Sequence, residues 1–218
     1  MGFREFIRNW FFKKRLLFRN IGTPDSPPKK LPGHFNFLLF EKPDDVGDPL
    51  LKKRLFEFCL DRYGKKEAHE LLNNPLWKGF AVYDSKTRGI AGTAWLLCSP
   101  DNDYWYDNVK FSKSEAHLAK LYVHPAFRGN QIGSFLKQKR LAYAKEKNFS
   151  SVAAIVESGR KTALQIQEGF AAETEKSFLI KLFKVNIFSV LVNSTTRIWY
   201  VGPGRNRLFR IIKSKSGQ

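Results

Sequence analysis

The sequence predicts an α/β (α+β) domain, and three observations carry that prediction. A short apolar strand passes through a glycine-bearing turn into a long helix over residues 119–147. A pair of helices, punctuated by Pro49 and Gly64, precedes two strands joined by the polar loop Asp84-Ser85-Lys86-Thr87-Arg88-Gly89. A second apolar strand, Ser150 to Glu157, follows the long helix. We divide the chain into a basic amphipathic helix (1–20), a Pro-rich linker (21–33), a main domain (34–201) and a basic tail (202–218).

Composition bounds the function classes. The chain of 218 residues is 43% hydrophobic, enough for one packed core, and carries a formal net charge of +18. Such a charge permits an anionic partner: a membrane surface, nucleic acid, an acidic carrier protein or an anionic substrate. Cys59 and Cys98 have no metal-like or disulfide-like spacing, and His34, His69, His117 and His124 are scattered. We therefore expect no metal, and a reducing, cytoplasmic compartment. No run of about 18 apolar residues free of charge predicts a spanning helix, because Lys181 and Lys184 interrupt the longest candidate, Phe178 to Val192.

Residues 3–19 read as a helix. At roughly 100° per residue, Phe3, Phe6, Ile7, Trp10, Phe11, Leu17 and Phe18 gather on one arc, with Arg4, Arg8, Arg15 and Arg19 beside it. Two uses fit: lying peripherally on an anionic membrane at the inner face, or packing on the domain with a solvated basic face; an organellar presequence fits less well, because Glu5 is present. The prolines and Gly33 of residues 20–33 exclude a helix or central strand and read as a linker.

The main domain opens with a strand from His34 to Phe40 and a turn at residues 44–49. Pro49 starts the helix Leu50 to Tyr63, Gly64 ends it, and a second helix covers Lys66 to Leu72. Strands Gly79 to Tyr83 and Ile90 to Cys98 form a hairpin. Residues 99–113 set Tyr104, Trp105 and Tyr106 among Asp101, Asp103 and Asp107. This segment either lines an acceptor pocket or extends a hairpin with stacked aromatics. Glu115 to His124 is the strand entering the turn. After the long helix and the Ser150–Glu157 strand come a helix from Gly159 to Glu168 and an apolar stretch from Ser177 to Val192. The tail from Arg205 to Lys213 alternates basic and apolar residues, as an edge strand or a second adhesive segment would.

The turn after Val123 carries the chemistry. Pro125 stops the strand, Gly129 and Gly133 leave room for a close ligand, and the following helix directs unbonded N–H groups and its dipole into the turn. Arg128 adds a forked cation. An ordinary βα turn and a phosphate cradle both fit this spacing, but the P-loop and Gly-x-Gly-x-x-Gly patterns do not.

This stretch, "LYVHPAFRGNQIGSFL", resembles the acetyl-CoA signature of the GNAT N-acetyltransferases, and "SSVAAIVESGRKTALQIQEGFAAE" resembles their next strand and helix. The resemblance covers about residues 78–183. It implies a central mixed, mostly antiparallel sheet with flanking helices and strands splayed at the acyl-CoA site. Acetyl-CoA, or another acyl-CoA, is the implied cosubstrate. Leu121, Tyr122 and Val123 would carry its pantetheine, and Arg128, Gly129, Asn130, Gln131, Ile132, Gly133 and Ser134 its pyrophosphate. Gln131 stands where the family has an internal glycine, Ser158 lies near the position of a family Asn, and Gln165 occupies that of the family's acidic Tyr. His117, with Glu115 two residues earlier on the same face, is the closest match to the glutamate with which the family frees the amine, a role that a near-neutral histidine pKa would suit; a histidine held in packing or hydrogen bonds fits the position as well. The acceptor is a primary amine of open identity, and the two early helices would form one wall of its site. The rival function is a GNAT-fold protein without turnover on an anionic membrane surface through residues 3–19. Nucleic acid has only the charge in its favour. Oligomeric state is left open.

Overall fold

The structure is a computed structural model. It describes residues 12–19, 30–99, 101–106, 109–157, 175–182, 185–192, 196–203 and 209–212, the strands at 12–19 and beyond residue 174 by backbone path alone. The chain divides into two compact units, each taken separately below.

One unit comprises Thr23–Asn102 and Ser112–Val152; the other comprises Met1–Gly22, Asp103–Phe111 and Ala153–Gln218. In chain order the strands are β1 (Phe12–Arg19), β2 (Phe35–Phe40), β3 (Trp77–Asp84), β4 (Ile90–Leu97), β5 (Tyr104–Tyr106), β6 (Val109–Phe111), β7 (Glu115–Val123), β8 (Ser151–Glu157), β9 (Glu175–Leu182), β10 (Val185–Val192), β11 (Thr196–Pro203) and β12 (Phe209–Ile212). The helices are α1 (Pro49–Tyr63), α2 (Lys65–Asn73) and α3 (Ile132–Glu146).

In the first unit β2 pairs with β3, β3 with β4 and β4 with β7, all antiparallel. Polar punctuation sets the edges of its elements. Asp48 caps α1 by accepting from the N–H groups of Leu50 and Leu51 at 2.9 and 3.1 Å, and takes Arg88 Nε at 2.9 Å on its other oxygen. Gly64 ends α1 at φ +77 and starts α2. Asp84 accepts from Lys86 N, Thr87 N and Thr87 Oγ1, which closes the β3–β4 loop.

The helices bury Leu51, Leu55, Cys59, Ala68, Leu71 and Leu72 from α1 and α2, and Ile132, Phe135, Leu136, Leu141 and Ala144 from α3. All eight residues of β4 are buried, as an interior strand covered on both faces requires. Phe40 meets Trp95 edge-on at 5.4 Å, beside Gly79. A hydroxyl-to-carboxylate bond from Tyr143 to Glu41 (2.9 Å) and a Lys78–Glu41 pair (2.9 Å) join the far end of α3 to β2 and β3. Lys78, then Tyr143, hold the Glu41 carboxyl below its ordinary range against the cost of burial.

In the second unit β1 pairs antiparallel with β8 on one side and β9 on the other, and β10, β11 and β12 follow β9 in an antiparallel meander. β9 and β10 take up most of the apolar Ser177–Val192 stretch. β12 shows the basic tail used as a strand at Phe209–Ile212. Residues 99–113 take the hairpin form: β5 pairs with β6, and Tyr104 stacks on Phe111 at 5.3 Å.

The amphipathic helix expected over residues 3–19 is corrected for its second half, since Phe12–Arg19 is the strand β1. Phe12-Lys13-Lys14-Arg15-Leu16-Leu17-Phe18-Arg19 has apolar residues at both odd and even positions, so its helical arc is not unique. Pairing on both sides, Leu16 with Val156 and Phe178 for example, satisfies its backbone better than an isolated helical turn would. Residues 3–11 lie outside the described residues, as do Ser158, Gln165 and the expected helix at 159–168. Among the described residues no helix is long and apolar enough to cross a membrane.

A Cβ on Gly79 would lie 2.1 Å from Cζ of the buried Phe40 ring, which Trp95 holds from the other side. Gly79→Ala is therefore expected to cost about 1–3 kcal/mol by overpacking. A denaturant midpoint lowered at constant m-value is the measurement.

Candidate active site

The turn after β7 is a set of backbone donors held open. Its first residues close on themselves: His124 Nδ1 accepts from Ala126 N at 3.3 Å, and Phe127 N and Arg128 N donate to His124 O and Pro125 O. Asn130 donates from Nδ2 to Phe127 O at 3.2 Å. Gly129 then sits at φ +87, and the N-cap Gln131 at φ +60, also left-handed. The Gln131 side chain makes no capping bond. Its carbonyl takes the first helical bond, from Phe135 N at 3.0 Å. No acceptor among the described residues faces the N–H groups of Gly129 to Ser134. Arg128, Gly129 and Gln131 are exposed, while Asn130, Gly133 and Ser134 are half-buried. Arg128 reaches back with Nε to Val123 O at 3.4 Å, which leaves the rest of its guanidinium at the mouth of the turn. Two left-handed residues, Gly129 and Gln131, thus leave a run of N–H groups without an acceptor among the described residues, next in sequence to the exposed Arg128, a donor set that suits an anion.

The strand feeding this turn is bent by a bulge. Thr93 faces Tyr122 and Trp95 faces Ala119, so Ala94 alone opposes both Lys120 and Leu121. Lys120 takes φ +50. Two helices clamp the distortion. From α3, the buried Arg140 donates through Nη1 to Trp95 O and Ala119 O, both at 3.1 Å. Burial pulls its pKa down to about 9, so it stays charged at neutrality. From the end of α1, Tyr63 donates to Lys120 O at 3.1 Å and lies 3.0 Å from Thr93 Oγ1. Lys120 Nζ pairs with Glu67 of α2, and Arg62 lies over the Tyr122 ring at 4.3 Å. Beyond the bulge His124 N donates to Ala91 O at 2.9 Å. In an antiparallel ladder bonded pairs alternate, so the Val123 N–H points away from β4. Gly92, opposite Val123, lets the front of α3 approach: a Cβ there would meet Tyr122 O at 2.9 Å and Ile132 Cγ2 at 3.1 Å.

A cleft of about 440 Å³ lies beside the turn, between the outer face of α1 (Arg54, Glu57, Phe58, Asp61) and Ile90, His124 and Phe127.

A model of the acetyltransferase (GNAT) family matches residues 49–166, more than half of the chain and all of the geometry above. The chain belongs to the GNAT acetyltransferase family. No curated protein sequence matches it. Among solved structures, a GCN5-related N-acetyltransferase from Sphaerobacter thermophilus is similar at 14% identity and a TM-score of 0.53, covering 81% of this chain and 54% of that one. A Drosophila protein is similar at 12% identity and a TM-score of 0.50, with the same coverage. An aminoglycoside 6'-N-acetyltransferase from Acinetobacter baumannii aligns at 12% identity and a TM-score of 0.46, over 63% of this chain and 89% of its own. At these identities the likeness is one of fold, and the chain spans about half the length of the first two structures. The α/β fold expected from the sequence is the GNAT fold.

Within that GNAT frame, the structure gathers Arg128 to Ser134 at one turn and sets half-buried Leu121, Tyr122 and Val123 on the strand leading to it. Glu115 and His117 lie earlier on β7 and are 3% and 1% exposed. The near-neutral pKa expected of His117 is corrected: burial first, then the charges of Arg140 and Lys120, push it down to about 3. His117 is thus a neutral, core imidazole. Tyr143 does not stand in for the proton donor that Gln165 replaces: it is committed to Glu41, and burial, then that carboxylate, raise its phenol pKa.

Arg140, Lys137 and Tyr63 escaped the sequence reading. Lys137 and Arg140 look like part of a solvated basic run, yet both are buried, and burial pulls the Lys137 pKa to about 7. Their spacing from Gly133, four and then three residues, places all three on one helical face, and that was the available signal. Nothing local announces the bulge that Tyr63 serves.

His117 gives a pH prediction. Its folded pKa, about 3, lies below its ordinary 6.5, so as pH falls the unfolded chain takes up the proton first. Its contribution to stability is full above pH 6.5 and is lost progressively toward pH 3. Urea midpoints should drop from pH 7.5 to pH 4.5, and drop less in His117→Gln.

Proposed function

We propose that this protein is an acyl-CoA-dependent N-acyltransferase that moves an acetyl group from acetyl-CoA to a primary amine by direct attack. The observation that carries the reading is the turn after β7, where the N–H groups of Gly129 to Ser134 lie beside Arg128 with no acceptor among the described residues. A diphosphate fits that donor set, and proteins of this family use acetyl-CoA as cosubstrate. Gln131 does not bar it, because its left-handed backbone serves the same turn that a glycine would and its side chain is exposed.

In this reading the pantetheine lies along Leu121–Val123. The Val123 N–H, which points away from β4, then serves the thioester carbonyl as charge develops on its oxygen. One such donor contributes about 2.7–4 kcal/mol in the measured case of an oxyanion hole. The amine attacks, the tetrahedral adduct collapses, and CoA leaves as thiolate. A neutral His117 with a pKa near 3 is a poor acceptor for an ammonium proton. Glu115 stands at the other end of β7, eight residues and about 25 Å before the Val123 donor, and is 3% exposed. In this proposal neither residue meets the amine: it attacks as the free base, and water takes the proton the adduct sheds.

Isothermal calorimetry with CoA tests the reading, and absence of heat at millimolar ligand would remove it. Arg128→Ala should weaken CoA at least tenfold, as the loss of one charge-assisted bond of about 1.5–3 kcal/mol implies. The same variant should bind phosphate-free pantetheine as the wild type does. Equal losses for both ligands would contradict the diphosphate role.

A further inference from the structure

We infer that Tyr63 is a positioning residue for acyl transfer, acting through the Lys120–Leu121 peptide. The inference rests on the acyl-CoA reading above and adds a residue of α1 to it.

The peptide bond is planar and trans, so a hydrogen bond that fixes the Lys120 carbonyl fixes the whole Lys120–Leu121 plane. That plane is the entry to the Leu121–Val123 strand edge. It is also the least self-supporting point of β7. Lys120 sits at φ +50, a conformation that costs a side-chain-bearing residue energy, and two residues share one partner on β4. Tyr63 donates to this carbonyl at 3.1 Å, and its oxygen is braced by Thr93 Oγ1 at 3.0 Å, on the strand opposite. The same segment of α1 and α2 adds the Lys120–Glu67 pair and the Arg62–Tyr122 stack. Gly64, at φ +77, lets the chain turn directly after Tyr63 so that both helices reach the bulge. Burial pushes the phenol up to about 12, so Tyr63 remains a donor across the working pH range and exchanges no proton with substrate. Its hydroxyl thus holds the strand edge in one orientation, with the Val123 N–H three residues on.

The test needs no knowledge of the acceptor. Full-length protein is loaded with acetyl-CoA labelled with carbon-13 at the carbonyl, and the carbonyl resonance is followed by NMR. The wild type should shift the resonance downfield from that of free acetyl-CoA. Tyr63→Phe should lose at least half of that displacement while its CoA affinity stays within threefold and its melting temperature within a few degrees. A Tyr63→Phe spectrum identical to the wild type overturns the inference, as does a loss of CoA affinity in step with loss of fold, which would mark Tyr63 as structural only. Should Tyr63→Phe fail to fold, Thr93→Val carries the test. It keeps the phenol but removes its brace, and should give an intermediate displacement; an unchanged one overturns the inference. If the wild type itself takes up no CoA, the acyl-CoA reading fails first, and the role of Tyr63 falls with it.

Discussion

One distortion governs this site: the place in β7 where Lys120 and Leu121 face a single residue of β4. A strand left to its own ladder would not keep Lys120 at φ +50. It is kept there by donors from opposite directions along the chain, Arg140 of α3 on Trp95 O and Ala119 O, and Tyr63 of α1 on Lys120 O. The arrangement places a desolvated guanidinium in the core, a costly choice that becomes tolerable because backbone carbonyls answer its N–H groups. Removing either donor would leave carbonyls with fewer partners and a bend without a reason. The direction in which β7 delivers the chain to the Pro125–Gln131 turn is set here.

That turn, in its turn, is simple. Two residues with left-handed backbone, Gly129 and Gln131, and a helix whose front carries no side-chain cap are enough to present a row of N–H groups. Gly92 matters as much as either, since any larger residue would push the first turn of α3 off the strand it rests on. The family match spans all of these pieces, from Pro49 at the start of α1 to a residue well beyond α3. The two helices between β2 and β3 thus belong to the same constellation as the turn.

Much of this was legible in advance. Pro49 and Gly64 bracket α1, Asp84 and Gly89 bracket the β3–β4 loop, and Gly129 with Pro125 marks the turn, because such residues act through local backbone geometry that needs no tertiary partner. The long-range features were not. The basic, aromatic segment at 12–19 satisfies a helical arc, but its backbone is claimed by β8 and β9, partners more than a hundred residues away in sequence. Lys137 and Arg140 read as solvated charge, because a sequence shows periodicity more readily than it shows which polar groups will find carbonyls. His117 keeps its place on the strand, but its titration depends on burial and on neighbouring cations that no spacing reveals.

The rear of α3 is as firmly held as its front is open. Tyr143 is moored to Glu41, itself tied to Lys78, while Arg140 is bolted into the sheet midway along. A fifteen-residue helix is about 22 Å long, so the front turn, seated on Gly92 through the buried Ile132, is the end of a rod anchored at two further points behind it. Its donors do not have to be gathered when an anion arrives. The entropy of ordering them is settled during folding, and what remains for recognition is the exchange of water for ligand at a surface already in its final shape.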